Sequence, residues 1–235
     1  MSQAKERILT KLRQAQAQSV AHPDVGAYYQ DMGAQWGSDL ERLRHWADAM
    51  RAVNTQIVWV TEANWLAQLT QIVADHEIKT LAVPNQTKAS QKIQAALAVD
   101  APKTQCVVAN QALEACKTEW FNDVDAGFTE VRCGIAHTGT LLLWTSAQEP
   151  RALSLIPPLH IALFDTQTLY NDFYSAMQAL AMPAGMPSNV VLVSGPSKTA
   201  DIQLTLAYGA HGPKDLIVLA LVPDDIDPTL LGAQP

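Results

Sequence analysis

The residues of this chain with the clearest chemical potential lie in three stretches of its second half. The richest is VSGPSKTADIQLTLAYGAHGP, Val193 to Pro213, where Ser194, Gly195, Ser197, Lys198 and Thr199 crowd the end of an apolar segment and Asp201 and His211 follow. Hydroxyls and backbone N–H groups beside a lysine are the ingredients of an anion site. Two local structures could present them. Ser197 or Thr199 could cap a helix with Asp201 in its first turn, and a helix N-terminus attracts anions. Alternatively, Ile202, Leu204, Leu206 and Tyr208 alternate with Gln203, Thr205 and Ala207, which favours a short strand bracketed by Asp201 and His211 as a candidate acid–base pair. The spacing fits neither the dinucleotide fingerprint nor the P-loop.

The second stretch, IAHTGT at 135–140, sets Thr138 and Thr140 around Gly139, a workable oxyanion or phosphate cradle and equally a hairpin turn. The third, EPRALSLIPPLH at 149–160, carries Arg151 in a nearly uncharged run, with Ser154 able to add a hydroxyl. A guanidinium suits bidentate recognition of carboxylate or phosphate, and it could equally pair with Glu149. His160 opens the following strand, where a histidine more often serves structure than catalysis. Beyond Lys117 the only basic residues are Arg132, Arg151, Lys198 and Lys214, so an anionic ligand of this half has few cationic partners.

These stretches must be held by the elements around them. Ser2 to about Ser19 places Ile8, Leu9 and Leu12 on one side of a helix, and His22 to Asp39 reads as an irregular connector pinned by Tyr28, Tyr29 and Trp36. From Asp39, helix and strand alternate: a helix to Arg51 capped by Ser38 or Asp39, strands at TQIVWV, KTLAVP and TQCVVA, and helices between them. This is the pattern of a mainly parallel sheet flanked by helices, an α/β fold with right-handed crossovers and an N-terminal helical extension. The expected division is residues 1–38 as helix and connector and 39–235 as the α/β domain. Gly127, Gly134 and Gly139 punctuate an antiparallel excursion after Trp120. The segment 166–180 reads as one helix with Leu169, Phe173, Met177 and Leu180 on a face, Val190–Val193 as a buried parallel strand, and DLIVLALV as the last strand. In such a sheet the three stretches are expected to meet beyond the carboxyl ends of the strands.

The bulk composition removes several function classes. A formal net charge of -7 with no concentrated basic surface argues against nucleic acid. No apolar run reaches the roughly 20 residues of a membrane span, and the first residues lack the apolar core of a secretory signal, so a cytoplasmic protein is expected. Cys106, Cys116 and Cys133 are far apart and form no CxxC pair, which reads as reduced core filler without zinc or iron–sulfur ligation. No cofactor is evident in this chain.

The segments GIAHTGTLLL, RALSLIPPLHIAL and VSGPSKTADIQLTLAYGAHGP, in that order between Ala126 and Val222, resemble the LUD-domain proteins, and within them the lactate utilization protein C group. The last is the most specific, because its Ser-Gly-Pro-Ser, Thr-Ala-Asp-Ile and His-Gly-Pro elements recur together. The resemblance implies a fold similar to the sugar-phosphate isomerase and CoA-transferase-like superfamily, a LUD-type domain over 39–235, and a part in oxidising L-lactate to pyruvate. It also implies partner subunits that carry the iron–sulfur clusters. Relatives usually place an acidic residue before the Thr-Gly pair, where this chain has His137. The combined expectation is a small anionic or phosphorylated ligand held by Thr138, Gly139, Thr140, Arg151, Ser154, Ser194, Gly195, Ser197, Lys198 and Thr199. A non-catalytic interaction subunit and a ligase or transferase acting on a phosphorylated or CoA substrate are the alternatives.

Overall fold

In the computed structural model, residues 3–15, 21–33, 35–110, 113–200, 206–209, 211–223, 226 and 228–232 are described. The chain forms two compact units, Met1–Gly33 and Ala34–Pro235. The first holds α1 (Gln3–Gln14) and α2 (Val25–Met32). Helix α2 falls within the segment expected to be irregular. Asp24 explains it, since its carboxylate accepts the N–H of Ala27 at 3.0 Å and closes the first turn despite Gly26. Tyr28 is exposed and meets Tyr29 edge-on, with centroids 5.3 Å apart.

The second unit opens with α3 (Asp39–Arg51), whose start and end are written in the sequence. Ser38 accepts from the N–H of Glu41 at 3.1 Å, Asp39 and Glu41 occupy the first turn, and Arg51 the last. Leu43, Trp46, Ala47 and Met50, spaced by three and four residues, form its buried face. Ser38→Ala is expected to lower stability by about 1 kcal/mol in urea unfolding, with Ser38→Asp retaining the wild-type midpoint.

The alternation continues with β1 (Gln56–Val60), α4 (Trp65–Asp75), β2 (Thr80–Val83), α5 (Lys88–Asp100), β3 (Gln105–Val108), α6 (Leu113–Asn122) and β4 (Ala126–Glu130). After β4 come β5 (Cys133–Ile135), β6 (Thr140–Trp144), the one-turn α7 (Ala152–Leu155), β7 (Leu159–Asp165), β8 (Leu169–Tyr170) and α8 (Phe173–Ala179). The described chain then adds β9 (Val190–Val193), β10 (Lys198–Ala200), β11 (Leu206–Tyr208) and β12 (Asp215–Leu221). Six of these strands make one parallel sheet in the order β1-β12-β7-β4-β2-β3. No described helix is long and apolar enough to cross a membrane.

One face of this sheet packs on α4 and α5 through Val58, Val60, Leu81, Val83, Phe128, Ile161 and Leu219, with Trp65, Leu69, Ile93 and Leu97 opposite them. On the other face, Trp59, Ala162, Phe164, Val218 and Ala220 meet Trp46 and Met50 of α3. Trp46 and Phe164 lie 4.9 Å apart, and the Trp46 indole N–H donates to the carbonyl of Thr140. Burying an alternate residue set on each face is what makes these strands read as near-continuous apolar runs. The same face carries α7, whose Leu153 carbonyl passes over β4 at Gly127; a β-carbon there would lie 2.0 Å from that oxygen.

Two further expectations are corrected. Val190–Val193 is not a buried parallel strand: β9 pairs antiparallel with β6 at the edge of a second, four-stranded sheet, β8-β5-β6-β9, and Leu192 is exposed. The segment 166–180 is not one helix. Asp172 accepts from the N–H and the hydroxyl of Ser175, which starts α8 at Phe173, while Leu169 and Tyr170 pair with Gly134 and Ile135. An N-cap inside an amphipathic run ended the longer helix.

Candidate functional site

Because β9 belongs to the second sheet, its end is delivered to the amino ends of β7 and β12. The site expected beyond the carboxyl ends therefore opens at the opposite end of the sheet. A cleft of about 220 Å³ lies there, walled by β9 and Ser194–Ser197, by Ser154 and Leu155 of α7, and by His211–Pro213, with His160 and Leu216 from the starts of β7 and β12.

Backbone bonds join these walls. The Ser197 N–H donates to the carbonyl of Pro213 at 2.8 Å, Gly209 donates to Ser197, and Lys214 and Asp215 both donate to Pro158. Gly195 has φ of +127°, a conformation glycine adopts freely, and a side chain there would strike Val53. Of the two local structures open after Pro196, the described residues take the strand: Lys198–Ala200 is β10, paired antiparallel with β11, and neither Ser197 nor Thr199 starts a helix there. Alternation outweighed the capping signal because the hairpin satisfies the backbone groups a cap would otherwise serve.

The three stretches meet only in part. Ser194 Oγ and Thr140 Oγ1 share a hydrogen bond of 2.6 Å, and Thr140 shares another with Thr138 at 2.7 Å, so a line of hydroxyls runs from the surface to the cleft mouth. Gly139 serves a different purpose: at φ of +54° it lies against Ala49 of α3, and a β-carbon would come within 2.6 Å of that methyl. His137 is exposed and its N–H donates to the carbonyl of Asn171, away from the cleft. Ser154 is buried, reaches the cleft, and donates its hydroxyl to the carbonyl of Arg151. Arg151, just before α7, is exposed, does not line the cleft, and makes no ion pair with a described carboxylate, Glu149 included. Lys198 is exposed on β10, to which Thr199 also belongs, His211 borders the cleft, and Asp201 lies outside the described residues.

Three residues gain importance. His160 is fully buried at the cleft floor, and its Nε2 lies 2.8 Å from Thr129 Oγ1 on β4. Burial lowers its pKa to about 4, so the ring is neutral at physiological pH. Glu149 accepts the N–H of Glu130 at 2.7 Å. Burial pushes the Glu149 carboxyl up to about 7; that hydrogen bond opposes the rise and the charge of Glu130 adds to it. Thr129, Glu149, Arg151 and Ser154 line a second, small cavity of about 10 Å³ under α7. The signal for Thr129 and His160 was present in the sequence, as a single polar residue inside each of two apolar strands. Burial holds Cys133 and Cys106 up at about 11, where the thiol is the inert form, in keeping with a packing role.

A family model of the LUD domain matches residues 43–221. The chain is 50% identical to the protein NMB1437 of Neisseria meningitidis serogroup B over 96% of each chain. It is 35% identical to lactate utilization protein C of Shouchella clausii over 38% of this chain and 40% of that one, and 30% identical to the protein YkgG of Escherichia coli over 40% and 43%. The lactate utilization relatives are thus matched over less than half their length. Among solved structures, a DUF162 family protein from Deinococcus radiodurans superposes with a TM-score of 0.54 at 21% identity, covering 79% of this chain and 99% of that one. It shares the fold.

Proposed function

Since the chain belongs to the LUD domain family, we propose that it serves lactate utilization as a subunit of a system oxidising L-lactate to pyruvate, and that the cleft between β9 and α7 holds the small anionic ligand. The observation that carries the reading is the lining of that cleft: Ser194 and Ser197 supply hydroxyls, Ser154 a hydroxyl oxygen whose proton is held by the Arg151 carbonyl, and His160 and His211 supply imidazoles, in a space sized for a few heavy atoms. Hydroxyls bind a carboxylate as donors and a hydroxy or keto group as donor or acceptor. Oxidation of a 2-hydroxy acid removes two electrons and two protons. A neutral imidazole beside the hydroxyl is a competent acceptor of the hydroxyl proton, and the iron–sulfur partners the family resemblance implies would supply the acceptor of the two electrons and of the proton from carbon. Relatives that bear the name lactate utilization protein C support the process.

Calorimetric titration of the full chain with L-lactate, pyruvate and inorganic phosphate tests the ligand. Ser194→Ala is expected to weaken binding of the preferred anion about tenfold, the effect of one lost hydrogen bond. Unchanged affinity in that variant would move the ligand out of the cleft. The exposed Ile8 and Leu12 of α1 favour a second reading, an interaction subunit whose role is assembly. No binding by the isolated chain, together with restored lactate oxidation on mixing with its partner subunits, would select it.

A further inference from the structure

The cleft and the small cavity under α7 lie on either side of one hydrogen-bonded pair. Ser154 borders both, His160 faces the cleft, and Thr129 faces the cavity that Glu149 also lines. A cavity of about 10 Å³ is close to the least that holds a single water, and Thr129, Thr145, Glu149, Arg151 and Ser154 are among the polar residues that line it. We propose that Thr129 links His160 to Glu149 through one bound water, forming a buried path that carries a proton between the cleft and the carboxyl end of β4. This deepens the reading of the cleft as the ligand site, although the path itself is measurable without a ligand.

The transfer balances along the chain. His160 starts neutral, with its proton on Nε2 donated to Thr129 Oγ1; Thr129 donates to the water, the water to the Glu149 carboxylate, and Nδ1 is left as the free base. When Nδ1 takes the hydroxyl proton of a bound hydroxy acid, the Nε2 proton passes to Thr129, the hydroxyl proton of Thr129 to the water, and a water proton to Glu149. The acid form of Glu149 then holds the proton and His160 is neutral again. A carboxyl poised near neutrality both accepts and returns it, and a ring that resists charging transmits rather than stores it. The charged groups around the path are Glu130 on β4, Arg151 before α7, Arg132 over the Trp144 ring, and His211 beside the cleft. Glu130 Oε1 is buried without a hydrogen-bond partner and reinforces proton uptake by its neighbour.

The test is ¹⁵N NMR of the full chain labelled at histidine, following the His160 ring nitrogens between pH 5 and 9. Wild-type protein is expected to change its Nδ1 and Nε2 shifts with a midpoint at about 7, the titration of Glu149. The transition should vanish in Glu149→Gln and Thr129→Val, return in Thr129→Ser, move to lower pH in Glu130→Gln, and persist in His211→Asn. If Thr129→Val fails to fold, Glu149→Gln decides. A flat wild-type profile, or a midpoint that survives Glu149→Gln, overturns the path and leaves the lactate reading standing. Loss of the midpoint in His211→Asn would assign it to that imidazole and overturn the path as well.

Discussion

Gly127→Ala is expected to lower the stability of the chain by about 3 kcal/mol and to loosen the cleft at the same time. The added methyl would sit 2.0 Å from the Leu153 carbonyl oxygen and 3.0 Å from its carbon, both backbone atoms, so relief requires α7 to move as a body. Overpacking of this kind reaches the upper end of the usual 1–3 kcal/mol range when no flexible side chain can yield. Ser154 and Leu155 form the α7 wall of the cleft, so the displacement would reach the ligand. Urea unfolding measures the first effect and calorimetry with L-lactate the second. Gly185 provides the control, because a β-carbon there meets nothing within 4 Å, and Gly185→Ala should change stability by less than about 0.5 kcal/mol. Equal unfolding midpoints for the two variants would show that α7 tolerates the shift.

The second large effect lies in the pH dependence of stability. His160 is held down at about 4 from an ordinary 6.5, so between those values the unfolded chain binds the extra proton, and stability falls as pH falls through that window. Glu149 is raised from 4.5 to about 7, so there the native state binds the extra proton, and stability falls as pH rises. Each contributes a slope of about 1.4 kcal/mol per pH unit, with opposite sign. Between pH 4.5 and 6.5 the two nearly cancel in the wild-type protein. Glu149→Gln removes one side: relative to wild type, the variant is expected to lose about 3 kcal/mol on acidification from pH 7 to 4.5. His160→Gln should show the opposite trend against wild type. Parallel curves of unfolding free energy against pH for wild type and Glu149→Gln would mean that the carboxyl is not held in its acid form by the fold.

Much of the architecture is legible in the chain because it rests on local physics. The helices at Asp39–Arg51, Trp65–Asp75 and Lys88–Asp100 and the strands of the parallel sheet follow from side-chain period, and Ser38 and Thr87 cap the first and third of these helices. The same locality explains the misses. Asp24 and Asp172 each start a short helix with one side-chain bond, a signal easily hidden among aromatics in one case and inside an amphipathic run in the other.

The site divides differently. Its residue types stand in the sequence, and Ser154, Ser194, Gly195, Ser197 and His211 do share one cleft. Which end of the sheet that cleft occupies depended on β9 pairing with β6, residues some fifty positions apart, rather than with the parallel sheet. An apolar strand of four residues carries no mark of its partner, since antiparallel and parallel neighbours accept the same side chains. Gly139 and Arg151 were separated from the cleft by that choice, and Thr129, His160 and Glu149 were brought under it. The sequence by itself determined the elements, the α/β class and the chemistry available to the second half of the chain. Only the tertiary structure decided which of those groups meet, because burial and strand pairing, which set Thr129 against His160 and raise the Glu149 carboxyl, are properties of neighbours distant along the chain.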